Sequence, residues 1–376
     1  MKKTALVLTG GGARSAYQVG VLRGIYEITK FEKSPFPIIS GFSAGAINGV
    51  WLASHFASFD QVTQDMWEQW AKLQSEQIYK TNPVSLLGIF SHWFKDLSSG
   101  GTLGQSSMTY LLDTTPLKHF IKSNIDFSSV QDHIMSGDLY GICVCATNYF
   151  SGHSTAFFDG SAKIEVWKRQ NRISRRTHLG LEHVMASAAI PVFFPPVQIH
   201  NAYYGDGMVR LNAPLSPAIH MGADRMFIIG VHGPLPTECE EPEKLPKISI
   251  GDIAGTVLNG LFFDSLDADL ERLERINRNL SILNESQTQM VSQQIRPIPV
   301  FTMKPSKNIQ EMPHCNSIHL PPAMRYVLKG IGVTEEKGLD LLSYLTFEKD
   351  YIQSLLKLGY EDAMAQREHI LNFFQI

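Results

Sequence analysis

Two short glycine-rich segments limit the folds open to this chain more than any other feature. Each lies between an apolar run suited to a β-strand and a run suited to an α-helix. The segments are residues 10–12 and 41–45, the strand-like runs are 3–9 and 37–40, and the helix-like runs are 16–29 and 44–53. A strand, a tight turn and a helix in that order are typical of a buried parallel sheet covered by helices. The chain is therefore predicted to be an α/β protein.

The second segment has the form Gly-x-Ser-x-Gly and contains Ser43. This pattern permits a strained turn from strand to helix that exposes the serine hydroxyl, as a nucleophile requires. Gly41 and Gly45 allow the start of the helix to pack closely against the strand. The pattern also arises by chance in a chain with 29 glycines, but the strand before it and the helix after it favour a nucleophile. Ser43 is therefore the candidate nucleophile of an acyl hydrolase.

The first segment supplies three consecutive glycines, Gly10, Gly11 and Gly12. Glycines allow several backbone N–H groups to crowd around one anionic centre, as in an oxyanion hole. A dinucleotide-binding turn is the alternative, but Ser15 occupies the place of its third glycine and only Glu32 lies near the position of its acidic residue. A phosphate-binding loop is disfavoured, since no Gly-Lys-Ser/Thr follows the segment.

A serine hydroxyl is a weak nucleophile at its ordinary pKa and needs a general base. The sequence contains 13 histidines, none in a run that suggests a catalytic turn. Those that border strands, helices or a proline-containing loop are His200, His220, His232, His314 and His319. Asp206 is the better candidate, because it lies between Gly205 and Gly207 on what the pattern predicts to be a tight, exposed turn. A plain Asp-Gly hairpin turn is the alternative interpretation.

With these three motifs in this order, the chain resembles the patatin-like phospholipase family. The matching positions are Gly10, Gly11, Gly12 and Arg14 of the glycine-rich motif, Ser43 of the serine motif, Asp206 and Gly207 of the Asp-Gly motif, and the stretch 186–196. Ser15 and Met208 depart from the family pattern without replacing a reacting group, which leaves subfamily and substrate open. The resemblance covers residues 4–225 and implies a three-layer α/β/α sandwich with a mostly parallel central sheet, followed by C-terminal helices.

The resemblance also implies a chemical mechanism. Ser43 would attack a lipid ester, Asp206 would accept its proton without a catalytic histidine, and the N–H groups of residues 10–12 would stabilise the oxyanion. Arg14 would steady that loop or the oxyanion, with a solvated arginine as the equal alternative. The expected function is an esterase of the phospholipase A or lysophospholipase type. Two alternatives stay open: an acyltransferase that uses the same serine, and a non-catalytic protein that binds lipid or nucleotide.

Size and composition agree with one large domain and an extension. The chain has 376 residues, 44% hydrophobic and 18% charged, which predicts a hydrolase domain over 1–304 and a mainly helical extension over 305–376. The net charge of −3 argues against general nucleic-acid binding. No run is apolar enough for a membrane span. The first eight residues imitate a secretion signal but are too short, so we expect no cleaved signal and a cytoplasmic location, with peripheral membrane contact as a further option.

The sequence predicts neither a metal site nor a cofactor. The four cysteines, Cys143, Cys145, Cys239 and Cys315, form neither a metal-binding pattern nor a disulfide framework. Cys143 and Cys145 alternate in an apolar run, so they are predicted to share one side of a buried strand as reduced thiols. No segment resembles a calcium-binding loop.

Two further segments suggest how a lipid reaches the serine. Residues 84–94 are strongly apolar and precede a Ser/Gly run at 98–101, as a hinged lid or an acyl-chain wall requires; a buried core helix is the equal alternative. Residues 163–176 carry basic side chains around Trp167, which suits an anionic membrane surface, although a solvated loop is the commoner explanation. The basic side chains are Lys163, Lys168, Arg169, Arg172, Arg175 and Arg176.

The rest of the chain continues the alternation of helices and strands. Helices are predicted at 61–73, 108–122, 182–187, 213–220 and 252–283, and strands at 139–147, 154–158, 225–231 and 296–303. The long helix places six apolar side chains on one stripe, which favours a core-facing helix over a coiled coil. These are Leu266, Leu270, Leu273, Ile276, Leu280 and Leu283.

Overall fold

The computed structural model describes residues 2–80, 110–234, 265–282, 296–309 and 339–376, with a few single positions between them. Several sequence predictions concern residues outside this part of the chain. These are the apolar segment 84–94 with the Ser/Gly run 98–101, most of the predicted helix 252–283 before Ser265, and the residues Cys239, Leu283, His314, Cys315 and His319.

Ten strands of the described chain form one sheet. They are β1 (Thr4–Leu8), β2 (Ile38–Phe42), β3 (Gly141–Asn148), β4 (Ser154–Gly160), β5 (Lys168–Arg169), β6 (Arg172–Arg176), β7 (Val197–Ile199), β8 (Ala202–Asp206), β9 (Arg225–Ile229) and β10 (Val300–Met303). The order across the sheet is β10-β9-β1-β2-β3-β4-β6-β5. The strands from β10 to β3 are parallel, β4 is antiparallel to β3, and the hairpin β7–β8 pairs with the end of β3.

Helices flank this sheet. They are α1 (Ala16–Thr29), α2 (Ala44–Ser54), α3 (Phe59–Ala71), α4 (Thr115–Asn124), α5 (Phe127–Ser136), α6 (Leu181–Ser187), α7 (Ser216–His220), α8 (Ser265–Ser281), α9 (Leu339–Leu345), α10 (Lys349–Ala365) and α11 (Arg367–Phe374). Every residue of β1 and β2 is buried, as expected for parallel strands covered on both faces. The predicted α/β fold with a mostly parallel sheet is confirmed.

Individual elements differ from their predictions for local reasons. Residues 110–114 are not helical, so the predicted helix start at 108 is wrong. The helix begins at Thr115, whose N–H donates to the Asp113 carboxylate at 2.8 Å, and Pro116 follows in the first turn, where proline is favoured. Helix α5, which the sequence patterns do not single out, begins after Asp126, whose carboxylate accepts a hydrogen bond from the Ser128 N–H at 2.9 Å.

The apolar stripe of α8 faces the core over only half of its length. Leu266, Leu270 and Leu273 are buried, whereas Ile276 is 40% exposed. The prediction of a core-facing helix therefore holds for Leu266, Leu270 and Leu273 and is wrong for Ile276.

Helix α10 packs directly on α1 through glycines. A Cβ at Gly20 would overlap the carbonyl oxygen of Leu356, and a Cβ at Gly359 would overlap that of Tyr17. The Tyr17 hydroxyl also donates a hydrogen bond to the buried Asp362 carboxylate at 3.0 Å. The predicted domain boundary at residue 304 stays a prediction, but the helices that follow it contribute to the packing of the first helix of the fold.

Candidate active site

The sheet register places the two glycine-rich segments side by side. Strands β1 and β2 are parallel neighbours, and Leu8 lies opposite Gly41. The segments that follow these strands therefore leave the same edge of the sheet together, one with Gly10, Gly11 and Gly12 and the other with Ser43. Gly12 and Ser43 line the same cavity.

Ser43 lies on a sharp turn between β2 and α2. Its backbone angles are φ 52° and ψ −130°, a combination that non-glycine residues rarely adopt and that marks local strain. A Cβ at Gly41 would overlap the carbonyl oxygen of Gly45, and a Cβ at Gly45 would overlap the carbonyl oxygens of Leu8 and Thr9. Both glycines are therefore needed for the helix to start this close to the strands.

Strand β3 brings Asp206 next to Ser43. Its first residues pair with β2, where Phe42 lies opposite Cys145, and its last residues pair with β8, where Asp206 lies opposite Ala146. The other edge of β3 is occupied by β4, so β2 and β8 follow one another along the same edge. Phe42 and Asp206 pair with consecutive residues of β3, Cys145 and Ala146. Ser43, which follows Phe42, therefore lies next to Asp206.

Asp206 is fully buried, so the predicted exposed turn is wrong. The β8 strand is held on both sides: the Thr147 hydroxyl donates to the Asp206 carbonyl oxygen at 2.8 Å, and the Asp206 N–H donates to the Ala189 carbonyl oxygen at 2.9 Å. A Cβ at Gly207 would overlap the Cys145 carbonyl oxygen, so this glycine permits the close approach to β3.

Burial raises the pKa of Asp206 to about 7, although the Ser43 hydroxyl and the Met208 N–H lower it as hydrogen-bond donors. The Met208 N–H donates to Oδ1 at 2.9 Å. Oδ2 has no hydrogen bond of ordinary geometry in the described part of the chain, although the Ser43 hydroxyl lies close enough to the carboxyl group to lower its pKa. Such contacts commonly shorten only when substrate binds.

The segment 186–196 supports Ser43 as well as Asp206. Ser187, the last residue of α6, is fully buried, and its Oγ accepts a hydrogen bond from the Ser43 N–H at 3.0 Å. The sequence alone does not single out Ser187. A hydroxyl inside a run of small apolar residues is the signal that points to it, because a buried hydroxyl needs a partner.

A buried polar network ties the glycine-rich turn to the helix that follows Ser43. The Gln18 side-chain amide donates to the Thr9 carbonyl oxygen at 2.7 Å, and the Asn48 amide donates to the Ser15 carbonyl oxygen at 3.1 Å. Asn48 also donates to Gln18 at 3.0 Å and accepts from the Trp70 indole N–H at 3.1 Å. The network fixes the two turns relative to each other, and none of these roles follows from the sequence motifs.

Arg14 is buried, with 1% of its surface exposed, so the solvated alternative is wrong. Its Nε donates to the Ser343 hydroxyl at 2.7 Å, and its guanidinium lies over the Tyr344 ring, 4.5 Å from the centroid. Gly12 has a left-handed φ of 54°, and a Cβ there would overlap the Tyr344 carbonyl oxygen. Helix α9 therefore supports the glycine-rich turn.

The cavity in front of Ser43 is apolar. No histidine is among the described residues that line it, and its walls come from α2, α3, α4, the segment after α6 and the chain before α10. The lining residues are Gly12, Ser43, Ala44, Ile47, Trp70, Leu73, Ile78, Leu117, Phe120, Ala188, Ile190, Phe194 and Phe347. Apart from the Ser43 hydroxyl and backbone groups, the lining consists of nonpolar side chains and the ring of Trp70.

Residues 168–176 of the basic segment form a hairpin at the edge of the sheet, whereas residues 163–167 have no regular secondary structure. Trp167 is buried and stacks on His220 with ring centroids 5.0 Å apart. Arg176 donates to the carbonyl oxygens of Gly160 at 2.9 Å and Ser161 at 3.2 Å. These two side chains hold the hairpin on the sheet, while most of the other basic side chains are exposed.

In the described parts of the chain, no three or more His, Cys, Asp or Glu side chains are grouped to hold a metal ion. Cys143 and Cys145 are buried free thiols on β3 with their Sγ atoms 3.9 Å apart, which agrees with the predicted shared face. Burial raises the pKa of Cys143. No helix among the residues described is long and apolar enough to cross a membrane.

The fold and the site define an α/β protein with a strained serine turn beside a buried aspartate. The model of the patatin-like phospholipase family matches residues 6–219, more than half of the chain, and the chain belongs to this family. No curated protein matches it.

Three solved structures are similar to this chain at low identity. Human GIVD cytosolic phospholipase A2 in complex with methyl gamma-linolenyl fluorophosphonate is 13% identical with a TM-score of 0.47, covering 100% of this chain and 59% of that one. VipD from Legionella pneumophila is 13% identical with a TM-score of 0.35, covering 98% and 67%. The type III effector ExoU is 14% identical with a TM-score of 0.33, covering 98% and 53%. The chain thus spans little more than half of the human protein and of ExoU.

Proposed function

We propose that this protein is a lipid acyl hydrolase of the phospholipase A or lysophospholipase type. The observation that carries the proposal is the position of Ser43, on a strained turn beside the buried Asp206 and at the wall of an apolar cavity. Membership of the patatin-like phospholipase family supports it.

In the proposed reaction, Asp206 is the general base and Ser43 the nucleophile. Asp206 Oδ2 accepts the Ser43 hydroxyl proton while Oγ attacks the ester carbonyl carbon. The alcohol part of the lipid leaves with that proton, and the acyl group stays on Oγ. Water then attacks the acyl-enzyme, Asp206 takes its proton, and release of the fatty acid returns that proton to Ser43.

The proposed oxyanion hole consists of backbone N–H groups of Gly10, Gly11 and Gly12. The left-handed Gly12 lines the cavity beside Ser43, which supports this assignment. Losing one such donor typically raises the barrier by about 3 kcal/mol. Arg14 contacts Ser343 and Tyr344 of α9, so its proposed role is to hold the glycine-rich turn in position.

The proposed substrate is a lipid ester, and the proposed partner surface is an anionic membrane that the basic segment 163–176 contacts. The apolar lining of the cavity suits the aliphatic part of a lipid, and near-surface basic side chains attract anionic lipids.

Covalent labelling tests the proposal. A fluorophosphonate should label Ser43, located by mass spectrometry, and Ser43→Ala should abolish labelling. Ser40→Ala is the matched control, because Ser40 is a buried serine of β2, three residues before Ser43, and its replacement should not affect labelling. Ser43→Ala and Asp206→Asn should each remove nearly all esterase activity, and the double variant should be little worse, because groups that act as a unit are non-additive. Retained turnover by Asp206→Asn would exclude Asp206 as the base.

A further inference from the structure

Three exposed aromatic side chains lie at the end of the sheet that carries Ser43. Phe150 is 94% exposed, Tyr203 54% and Tyr149 45%. Tyr149 and Phe150 belong to the turn after β3, and Tyr203 lies on β8. The Tyr149 N–H donates to the Tyr203 carbonyl oxygen at 2.9 Å, which joins the turn to the strand. These three residues are the aromatic tip.

The aromatic tip lies close to the proposed catalytic pair. Tyr203 precedes Asp206 by three residues in β8, a distance of about 10 Å along a strand. Burial and the negative charge of Asp206 raise the pKa of Tyr149 to about 12, so the phenol and the carboxylate interact electrostatically. A lipid held at the aromatic tip is therefore about 10 Å from Asp206, which lies beside Ser43.

Arginines flank the aromatic tip. Arg172 lies opposite Ser154 at the start of β4, directly after the turn that carries Phe150, and Arg169 pairs with Arg172. The exposed Arg210 follows Asp206, and its Nε donates to the Gly152 carbonyl oxygen at 2.9 Å. Asp269 is the acidic side chain that faces Arg172.

The same register divides the basic segment into two ends. Arg176 lies opposite Phe158 at the far end of β4, about 13 Å along β6 from Arg172. The exposed Lys163 and Arg175 also lie toward that end. Only one half of the basic segment, with Arg169 and Arg172, thus borders the aromatic tip.

We propose that the aromatic tip, flanked by Arg169, Arg172 and Arg210, is the surface that inserts into an anionic lipid membrane. The inference rests on the proposed lipid hydrolase function and assigns the membrane contact to one end of the basic segment. Aromatic side chains favour the membrane–water interface, and arginines beside them attract anionic headgroups. An exposed aromatic cluster also marks an interaction surface in its own right.

Vesicle co-sedimentation tests the proposal in the Ser43→Ala background, which keeps the lipid intact. The vesicles are phosphatidylcholine alone and an equal mixture of phosphatidylcholine and phosphatidylserine. Phe150→Ser should weaken binding to both by about ten-fold or more, because it removes a nearly fully exposed aromatic side chain from the interface. Arg169→Gln should weaken binding about five-fold, and only to the anionic vesicles.

Two matched variants change similar groups at the opposite end of the sheet. Met135, at the end of α5, is 76% exposed, and Arg175 lies on the far half of the hairpin. Met135→Ser and Arg175→Gln should bind like the parent. In addition, Phe150→Trp should be quenched by brominated lipid on vesicle binding and Met135→Trp should not. Unchanged thermal unfolding would show that the exposed substitutions leave the fold intact.

Parent-like binding by Phe150→Ser, or equal losses in Met135→Ser and Arg175→Gln, would overturn the proposal. Turnover of a soluble short-chain ester by the protein with intact Ser43 reports the proposed function separately. If vesicle binding depends on Phe150 while no ester is hydrolysed, the docking surface stands and the hydrolase function fails. If the ester is hydrolysed while binding ignores Phe150, the hydrolase function stands and the docking surface fails.

Discussion

Replacing Asp206 with asparagine should make the protein inactive and, at neutral pH, more stable. Burial raises the pKa of Asp206 from 3.8 to about 7, so the native state keeps a proton that the unfolded chain releases. Where the native state binds more protons than the unfolded state, stability falls as pH rises. The loss of stability begins near pH 3.8, the pKa of Asp206 in the unfolded chain, and it is nearly complete above pH 7, the approximate pKa in the folded protein. The Asp206→Asn variant has no titrating group at this position and would escape this loss.

The size of the effect follows from the shift. About three pKa units at about 1.4 kcal/mol per unit correspond to about 4 kcal/mol above pH 7. Between about pH 5 and pH 7, the free energy of unfolding of Asp206→Asn relative to wild type should therefore rise by about 2 kcal/mol, and it should level off above about pH 8. The rise with pH is the diagnostic quantity, since any packing difference between the two side chains is independent of pH.

Urea unfolding of both proteins across this pH range measures the difference. Ser43→Ala is the matched control, because it is equally inactive but keeps the carboxyl group. It should retain the pH-dependent loss of stability, with the loss extending to higher pH, since the hydroxyl that lowers the pKa of Asp206 is absent. A difference in the free energy of unfolding between Asp206→Asn and wild type that stays constant with pH would refute the claim that burial destabilises the ionised form of Asp206.

Three further predictions concern activity on a soluble short-chain ester. The value of kcat/KM should rise with pH around a midpoint of about 7, because Asp206 acts as a base only when ionised; a flat profile from pH 5 to 8 would contradict this. Ser187→Ala leaves the buried Ser43 N–H without its acceptor, so it should lower both kcat and the free energy of unfolding, the latter by about 1–3 kcal/mol. Ser187→Thr keeps a hydroxyl and should restore both quantities. Equal values for the two variants would show that the hydroxyl plays no part. Chelators should leave turnover intact, and rescue by a divalent ion after chelation would reveal a missed metal site.

The sequence predicts best those features that depend on neighbours along the chain. The turn at Ser43 requires glycines two residues on either side and apolar runs next to them, and all of these lie within about fifteen residues. Helix α1 is predicted from Ala16 to Thr29 and occupies those residues. The alternation of Cys143 and Cys145 likewise follows from the period of a strand.

Features that depend on distant pairings could not be predicted. Asp206 is buried because β8 pairs with β3, about sixty residues earlier in the chain. Arg14 is buried because Ser343, which is 329 residues away, accepts its hydrogen bond. Trp167 looks like a membrane anchor among basic residues, but His220 covers its ring. In each case the local pattern fits an exposed side chain, and the partner that buries it carries no motif.

The contact between Arg14 and Ser343 has a consequence for the life of the newly made chain. The glycine-rich turn is made before the helix that supports it, and Ser343 of that helix follows Arg14 by 329 residues. At about 5–20 residues per second, that interval lasts on the order of half a minute. Throughout it, the turn lacks the guanidinium anchor and the contact between Gly12 and α9. The glycine-rich turn therefore takes up its supported position only after the segment that contains Ser343 has been made.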